Sequence, residues 1–498
     1  MIPPIAVILS WPVIVYLFCR GRGPQITLIV AVLGGYLFLP ERININLPGL
    51  YELNKTSIPA YAALIACFVA VSQAKTRKTL QTAGLNSAQW LAGWLPRERI
   101  PRVLIAMMVL GVLMTILTNR DPVVGPGVFL PGQRLYDAGA SILFLMITIT
   151  PLLLARKFLA YPEGQRLLLT GFCLAGMAYA PLVLFEVRMS PQLNQWLYGF
   201  FAHSWIQHVR PGGGFRPIVF LQHGLRVSIF LTAAVLVTVG LARVSEGKAR
   251  VGFLAAALVL LVSLVLSKSL GALMIALIFA PIMLFAPRRM LILAAACTAT
   301  LVLLYPILRG TSLVPLDSIQ NFASGINEKR GQSFGTRLYF EEVLLARAQE
   351  RPFFGWGGWG RNLYIGEERA IPDGQWIIIL GRYGWVGFLA IFGLLVLPAI
   401  LLFKRWKKDG IGMETAVIAA ALAASVIDLI PNSGLTPDKW LLAGALWGRL
   451  ELGRISEQAP ADPPPVRLGY KRARQSRSKA TQPTRYTRQK QEKKRPDP

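Results

Sequence analysis

Residues 251–286 read VGFLAAALVLLVSLVLSKSLGALMIALIFAPIMLFA, with Lys268 as their single charged side chain. A helix crosses the hydrocarbon core of a bilayer in about 20 residues, so this run is too long for one crossing. It suits two, folded back at Ser267, Lys268 and Ser269 in a minimal hairpin. Apolar windows of the same kind recur near 2–18, 25–40, 57–73, 103–118, 137–155, 167–187 and 219–242, and again near 290–308, 376–403, 415–430 and 437–453. With the hairpin they make thirteen candidate spans. The fold class that follows is all-α, a polytopic integral membrane protein with about 13 transmembrane helices.

Composition agrees. Of 498 residues 54% are hydrophobic and only 16% charged, with a mean hydropathy of +0.48, whereas soluble domains carry about 25% charged residues. A water-soluble fold of this length needs a polar skin that this chain lacks. The formal net charge of +28 does not point to nucleic acid, because the basic residues sit in short loops and at the C-terminal end. Cys19, Cys67, Cys173 and Cys297 fall in or beside apolar runs without CxxC spacing, and read as small buried hydrophobes. The opening MIPPIAVILSWPVIVYLF has no basic n-region or small-residue cleavage site, so it reads as a retained first span.

Charge in the loops orients the spans. Alternate connections hold Arg20 and Arg22; Lys75 to Arg102; Arg156, Lys157 and Arg166; Arg243 to Arg250; Arg288 and Arg289; and Lys404 to Lys408. The other set is poor in Lys and Arg over its short loops and contains the two long ones, 188–217 and 309–375. The positive-inside bias therefore puts the N-terminus outside and the C-terminus in the cytoplasm. That alternation requires the 251–286 hairpin. Residues 1–454 form the expected transmembrane domain, and 455–498, rich in Pro, Arg, Lys, Gln and Ser, form an expected disordered cytoplasmic tail.

Three polar constellations fall on the outer side of this topology. In HVRPGGGFRPIVFLQHGLRVSIF (208–230), Arg210 and Arg216 flank a Gly triplet that admits close backbone approach, and His223 and Arg226 enter the next helix. This pattern suits an anion, with snorkelling to headgroups as the alternative for Arg226. In SFGTRLYFEEVLLARAQERPFFGWGGWGRN (333–362), residues 336–349 have helical spacing with Arg337 at the start, and Pro352 stops the helix. Trp356 and Trp359 in the turn that follows are interface anchors or platforms for a sugar ring. In PDGQWIIILGRYGWVGFL (372–389), Asp373 and Gln375 stand at the mouth of a span, with Arg382 further in. Asp373 is either a helix cap or a general base. No P-loop, no GxGxxG fingerprint opening a helix, no HExxH and no DxD-like carboxylate pair occurs, and with three histidines in all (His203, His208, His223) no metal-centred reaction and no cofactor are expected.

An arginine with a Gly-containing segment before a long span, an outer-loop arginine before PxxGWG, and a span opening xxxILGxxGxxG together resemble the O-antigen ligase and polymerase superfamily. The likeness covers roughly 200–400, with DLIPNSGLTPDKWLLAGALWG (428–448) as a further candidate stretch. Members are bacterial inner-membrane glycosyltransferases with a C-type polytopic fold that act on glycans carried by undecaprenyl pyrophosphate. The resemblance implies that Arg210 and Arg337 bind pyrophosphate, with Arg216 and Arg226 as further phosphate or structural residues. The ligases' usual His-Asn pair is replaced here by Asp373 and Gly374, which makes Asp373 the candidate base. The implied partners are a lipid-linked glycan donor, a glycan or lipid-core acceptor and the membrane. A transporter or flippase for the same lipid, or a non-catalytic scaffold, are the competing classes.

Overall fold

The computed structural model describes residues 1–458 apart from 47–50, 73–92, 126, 210–212, 312–317, 319, 322–323, 326–327, 366–367 and 408–409. Each expected span is a helix. They are α1 (Pro4–Cys19), α2 (Pro24–Phe38), α3 (Ser57–Ser72), α4 (Arg99–Leu117), α5 (Leu135–Phe158), α6 (Pro162–Met189), α8 (Gly224–Arg243), α9 (Gly247–Leu266), α10 (Leu270–Phe285), α11 (Arg288–Gly310), α13 (Gln375–Arg405), α14 (Met413–Ile427) and α15 (Pro437–Gln458). The short α7 (Leu193–Tyr198) and the amphipathic α12 (Glu328–Gln349) lie in the two long connections. Among the described residues, seven helices are long and apolar enough to cross a membrane. α15 runs to Gln458, so helix continues past the domain boundary expected at 454. The rest of the expected tail lies outside the described residues. Cys19, Cys67 and Cys173 are buried as expected, but Cys297, on α11, is exposed.

The minimal hairpin forms. Ser267 closes α9, Lys268 takes the turn at φ 55°, and Ser269 precedes α10. Hydroxyls tie both helices to α8: Ser228 and Ser267 are 2.9 Å apart, and Thr232 Oγ1 donates to the Ala272 carbonyl at 2.9 Å. α8 is the central strut, with 89% of its apolar stretch buried in protein against 22% for α9. Small residues let helices touch backbone to backbone. A Cβ on Gly444 or Gly448 of α15 would stand 2.3 Å from the Leu152 carbonyl oxygen or 2.2 Å from that of Arg156 on α5.

The two sets of loops meet at opposite ends of the bundle. At one end Lys55 pairs with Glu41 (3.4 Å), Arg226 with Glu41 (3.9 Å), and Arg351 with Asp121 (2.7 Å). At the other, Arg156 pairs with Glu451 (2.6 Å), Arg405 with Glu98 (3.1 Å), and Arg288 donates to the Ile411 carbonyl (3.1 Å). The first end gathers connections of the expected outer set and the second those of the basic set. Helix parity through the 251–286 hairpin therefore holds.

Glu186, fully buried near the end of α6, organises the first end. Its carboxylate accepts backbone N–H groups of Leu193 (3.0 Å), Ile218 (2.8 Å) and Val219 (2.7 Å). Removing it orphans three donors, each costing about 1–3 kcal/mol when buried. Glu186→Ala is expected to lower the thermal midpoint of purified protein by several degrees and to leave the 190–220 connection more open to proteolysis. An unchanged midpoint contradicts the clamp.

Candidate active site

The site is built on a broken helix. α13 carries Gly384 at φ 63°, ψ −167°, a conformation foreign to helix that interrupts its hydrogen-bond ladder. The turn after α12 docks on that break, backbone to backbone. Trp356 N–H donates to the Gly381 carbonyl and Gly357 N–H to that of Arg382, both at 2.9 Å. In return Trp385 N–H donates to Pro352 (2.7 Å) and Val386 N–H to Phe353 (3.2 Å). The glycines permit the approach: a Cβ on Gly355 would lie 2.6 Å from the Arg382 carbonyl carbon. The FFGWGGWG segment is thus the counterpart of the break in α13, and it fixes where α12 ends relative to the mouth of α13.

At that mouth Arg337 Nε lies 3.1 Å from Asp373 Oδ2, both side chains about two-fifths exposed. The residue capping α13 is Gly374, and no side chain caps the helix. Asp373 therefore faces the arginine rather than the helix end. One turn along α12, Glu341 accepts the Tyr305 hydroxyl (3.0 Å) and lies 3.6 Å from Arg309 Nε. Burial holds the Glu341 carboxyl above the ordinary range against the pull of Tyr305 and Arg309, with the nearby Asp373 charge adding to the rise. Two carboxylates held in such different surroundings are suited to different protonation states. Sequence reasoning missed Glu341, Tyr305 and Arg309. The only signal for Glu341 is its spacing of four residues from Arg337 on one helix face.

Gln375 joins this pair to the rest of the end. Its N–H donates to the Leu429 and Asn432 carbonyls (2.9 and 3.1 Å), and its side-chain oxygen accepts from Gly434 N–H (3.2 Å). The 428–434 connection thus lies against the mouth of α13. Its first residue, Asp428, is held by Asn432 (2.8 Å) and within electrostatic reach of Lys439 and Arg216. Arg216 is buried, with its guanidinium on the Ser269 hydroxyl and its N–H on the His208 carbonyl (2.8 Å). Arg226 faces Glu41, which also meets the buried Lys55. Burial, offset in part by Glu41, lowers Lys55 to about 8. His223 is the N-cap of α8, its Nδ1 accepting from Leu225 N–H (3.0 Å). Burial first, then Arg216 and the other histidines, lowers His223 to about 3, so its ring is neutral at physiological pH.

Of the residues singled out from sequence, Arg337 and Asp373 touch, Gln375 positions the loop beside them, and Arg216, His223 and Arg226 form a second basic group at the same end. Arg210 lies outside the described residues. Trp356 is a pillar of the turn: it is 6% exposed, donates to the Arg347 carbonyl (2.8 Å), and has the Arg347 and Arg351 guanidinium groups 3.5 and 4.2 Å from its ring centre. That packing closes its ring to a sugar. Trp359, 51% exposed, stays open to one.

Comparison with known proteins gives a family match. Residues 254–392 fit the family model described as O-Antigen ligase. No curated protein and no solved structure matches the chain significantly. The matched stretch contains Arg337, Asp373, the docked turn and the Gly384 break, and stops short of the Arg216 group. The chain is thus a multi-pass membrane protein whose residues 254–392 match the O-antigen ligase family model, which supports the likeness to the O-antigen ligase and polymerase superfamily.

Proposed function

We propose that the chain is a membrane glycosyltransferase moving a glycan from undecaprenyl pyrophosphate to an acceptor hydroxyl in O-antigen or surface polysaccharide assembly, at the outer face of a bacterial inner membrane. The contact between Arg337 and Asp373 carries the reading. Guanidinium is planar, permanently charged and able to hold phosphate oxygens in pairs. In the resting site Arg337 is occupied by Asp373. Donor pyrophosphate competes for the guanidinium and releases the carboxylate. The acceptor oxygen then attacks the anomeric carbon, the bond to the phosphate oxygen breaks, and the pyrophosphate carrier leaves with the electron pair. Asp373 takes the acceptor proton. Arg337, with Arg210 and Arg216, stabilises the growing charge on the leaving group, so no step in this scheme requires a metal ion.

The position of the charges supports surface chemistry over transport: the ion pairs described here lie at the two ends of the bundle, not at mid-span. Mass spectrometry of lipid-linked glycans in a deletion strain tests the reading. The strain is expected to accumulate undecaprenyl-linked glycan on the outer leaflet and lose the finished polymer; an unchanged lipid-linked pool rejects it. Deleting 459–498 separates enzyme from scaffold. Transfer is expected to persist in the truncated chain, and its loss favours a scaffold.

A further inference from the structure

The chain has three histidines, His203, His208 and His223, and the fold gathers all of them. Their ring centres are 5.3, 4.8 and 5.1 Å apart, and one nitrogen from each lies within 4.8 Å of the others. They come from three separate pieces of backbone: the turn after α7, the 3-10 turn Ile206–His208, and the N-cap of α8. Convergence of every imidazole in a 498-residue chain is not a requirement of packing, since the apolar core has ample aromatic and aliphatic side chains.

We propose that His203, His208 and His223 form a three-imidazole site for a zinc-class divalent cation. The proposal does not rest on the transferase reading. A tetrahedral zinc ion with Zn–N bonds of about 2.0–2.1 Å sets its nitrogens about 3.4 Å apart, so closing the trio needs side-chain movements of about 1.5 Å. His208 is prepared for this. It is fully buried, and its Nδ1 is 2.9 Å from the Ser204 carbonyl. A proton on Nδ1 donated to that carbonyl leaves the Nε2 lone pair for a metal, the outer-shell arrangement usual for ligating histidines. The Val209–Phe215 bridge and the Arg216 N–H bond to the His208 carbonyl hold its backbone. His223 exchanges its cap bond to Leu225 for the ion. Metal binding needs unprotonated ligands, and burial beside Arg216 and Arg226 already keeps His223 in that form. Imidazole donors select zinc, cobalt, nickel or copper over magnesium or calcium. Three protein ligands leave a fourth position for water or an anion oxygen, which the neighbouring arginines favour electrostatically. The ion would staple the 203–223 connection to the head of α8.

The test uses full-length protein in lipid nanodiscs with an affinity tag free of histidine. Zinc titration by calorimetry and cobalt titration by visible absorption are expected to give one ion per chain, with the bands of tetrahedral cobalt. Zinc is expected to raise the thermal midpoint. His203→Ala, on a surface turn, and the triple variant His203→Ala, His208→Ala, His223→Asn are expected to weaken binding at least a hundredfold and abolish the thermal shift, while size-exclusion profiles confirm folded protein. If the triple variant does not fold, His203→Ala alone decides. Absence of stoichiometric binding by the wild-type chain, or undiminished binding in folded His203→Ala protein, overturns the site.

Discussion

Gly384→Ala is expected to abolish glycan transfer and to lower the thermal midpoint by more than any other single alanine substitution in the 350–390 region. Gly384 sits at φ 63°, ψ −167°, a region essentially reserved for glycine. A methyl group there would lie 2.3 Å from the Phe353 carbonyl carbon and 2.5 Å from Phe354 N. These neighbours are backbone and cannot swing aside. Strained backbone costs about 1–3 kcal/mol and overpacking about 1–3 kcal/mol more, a large share of the roughly 5–15 kcal/mol that stabilises a typical fold. The cheapest relief is to undock the turn, which breaks four backbone hydrogen bonds and frees α12 from the mouth of α13. Gly252→Ala is the control, because a methyl there meets nothing within 4 Å. Equal midpoints and equal transfer in the two variants exclude the docking role.

Asp373→Asn is expected to reduce transfer by about a hundredfold to ten-thousandfold, the usual contribution of a general base, while leaving the thermal midpoint within a degree or two. The reason for the separation is exposure. The Arg337–Asp373 pair is about two-fifths exposed, and ion pairs in such surroundings contribute about 0–1 kcal/mol to stability. Arg337→Ala is expected to be equally inactive, with Arg337→Lys intermediate because lysine keeps the charge and loses the planar fork. In a reconstituted assay with lipid-linked donor, the arginine variants are expected to weaken donor binding and the asparagine variant to lower the maximal rate. A wild-type rate in Asp373→Asn removes Asp373 as base and passes that role to Glu341, for which Glu341→Gln is the corresponding experiment.

The membrane fold was legible because hydropathy is a local property. Every window named from sequence is a helix, including the two parted by Ser267, Lys268 and Ser269. Loop charge also gave the grouping of connections at the two ends, since parity needs only the order of spans. The site was legible in part. Arg337 and Asp373 meet, Asp373 just before the mouth of α13 as read from sequence, but α12 begins at Glu328, so Arg337 lies within that helix and not at its start. The role of Gly384 was hidden because it lies within a stretch that reads as one continuous span, and only the docking of a distant turn reveals that the helix is interrupted there. Trp356 read as a candidate sugar platform because the guanidinium groups over it come from α12 and its C-terminal turn, a packing fact no motif encodes. Glu341, Tyr305 and Arg309 needed the approach of α11 to α12, and the histidine cluster needed three connections folded onto one another.

The burial of α8 bears on biogenesis. A segment with 89% of its apolar stretch enclosed by protein leaves little surface for acyl chains in the finished molecule, so lipid that surrounds it on first insertion must be displaced as later segments arrive. Since Thr232 bonds to the Ala272 carbonyl and Gly240 accepts Val417 at close range, that exchange completes only when α10 and then α14 have left the translocon. The strut of the bundle is therefore synthesised midway and enclosed near the end.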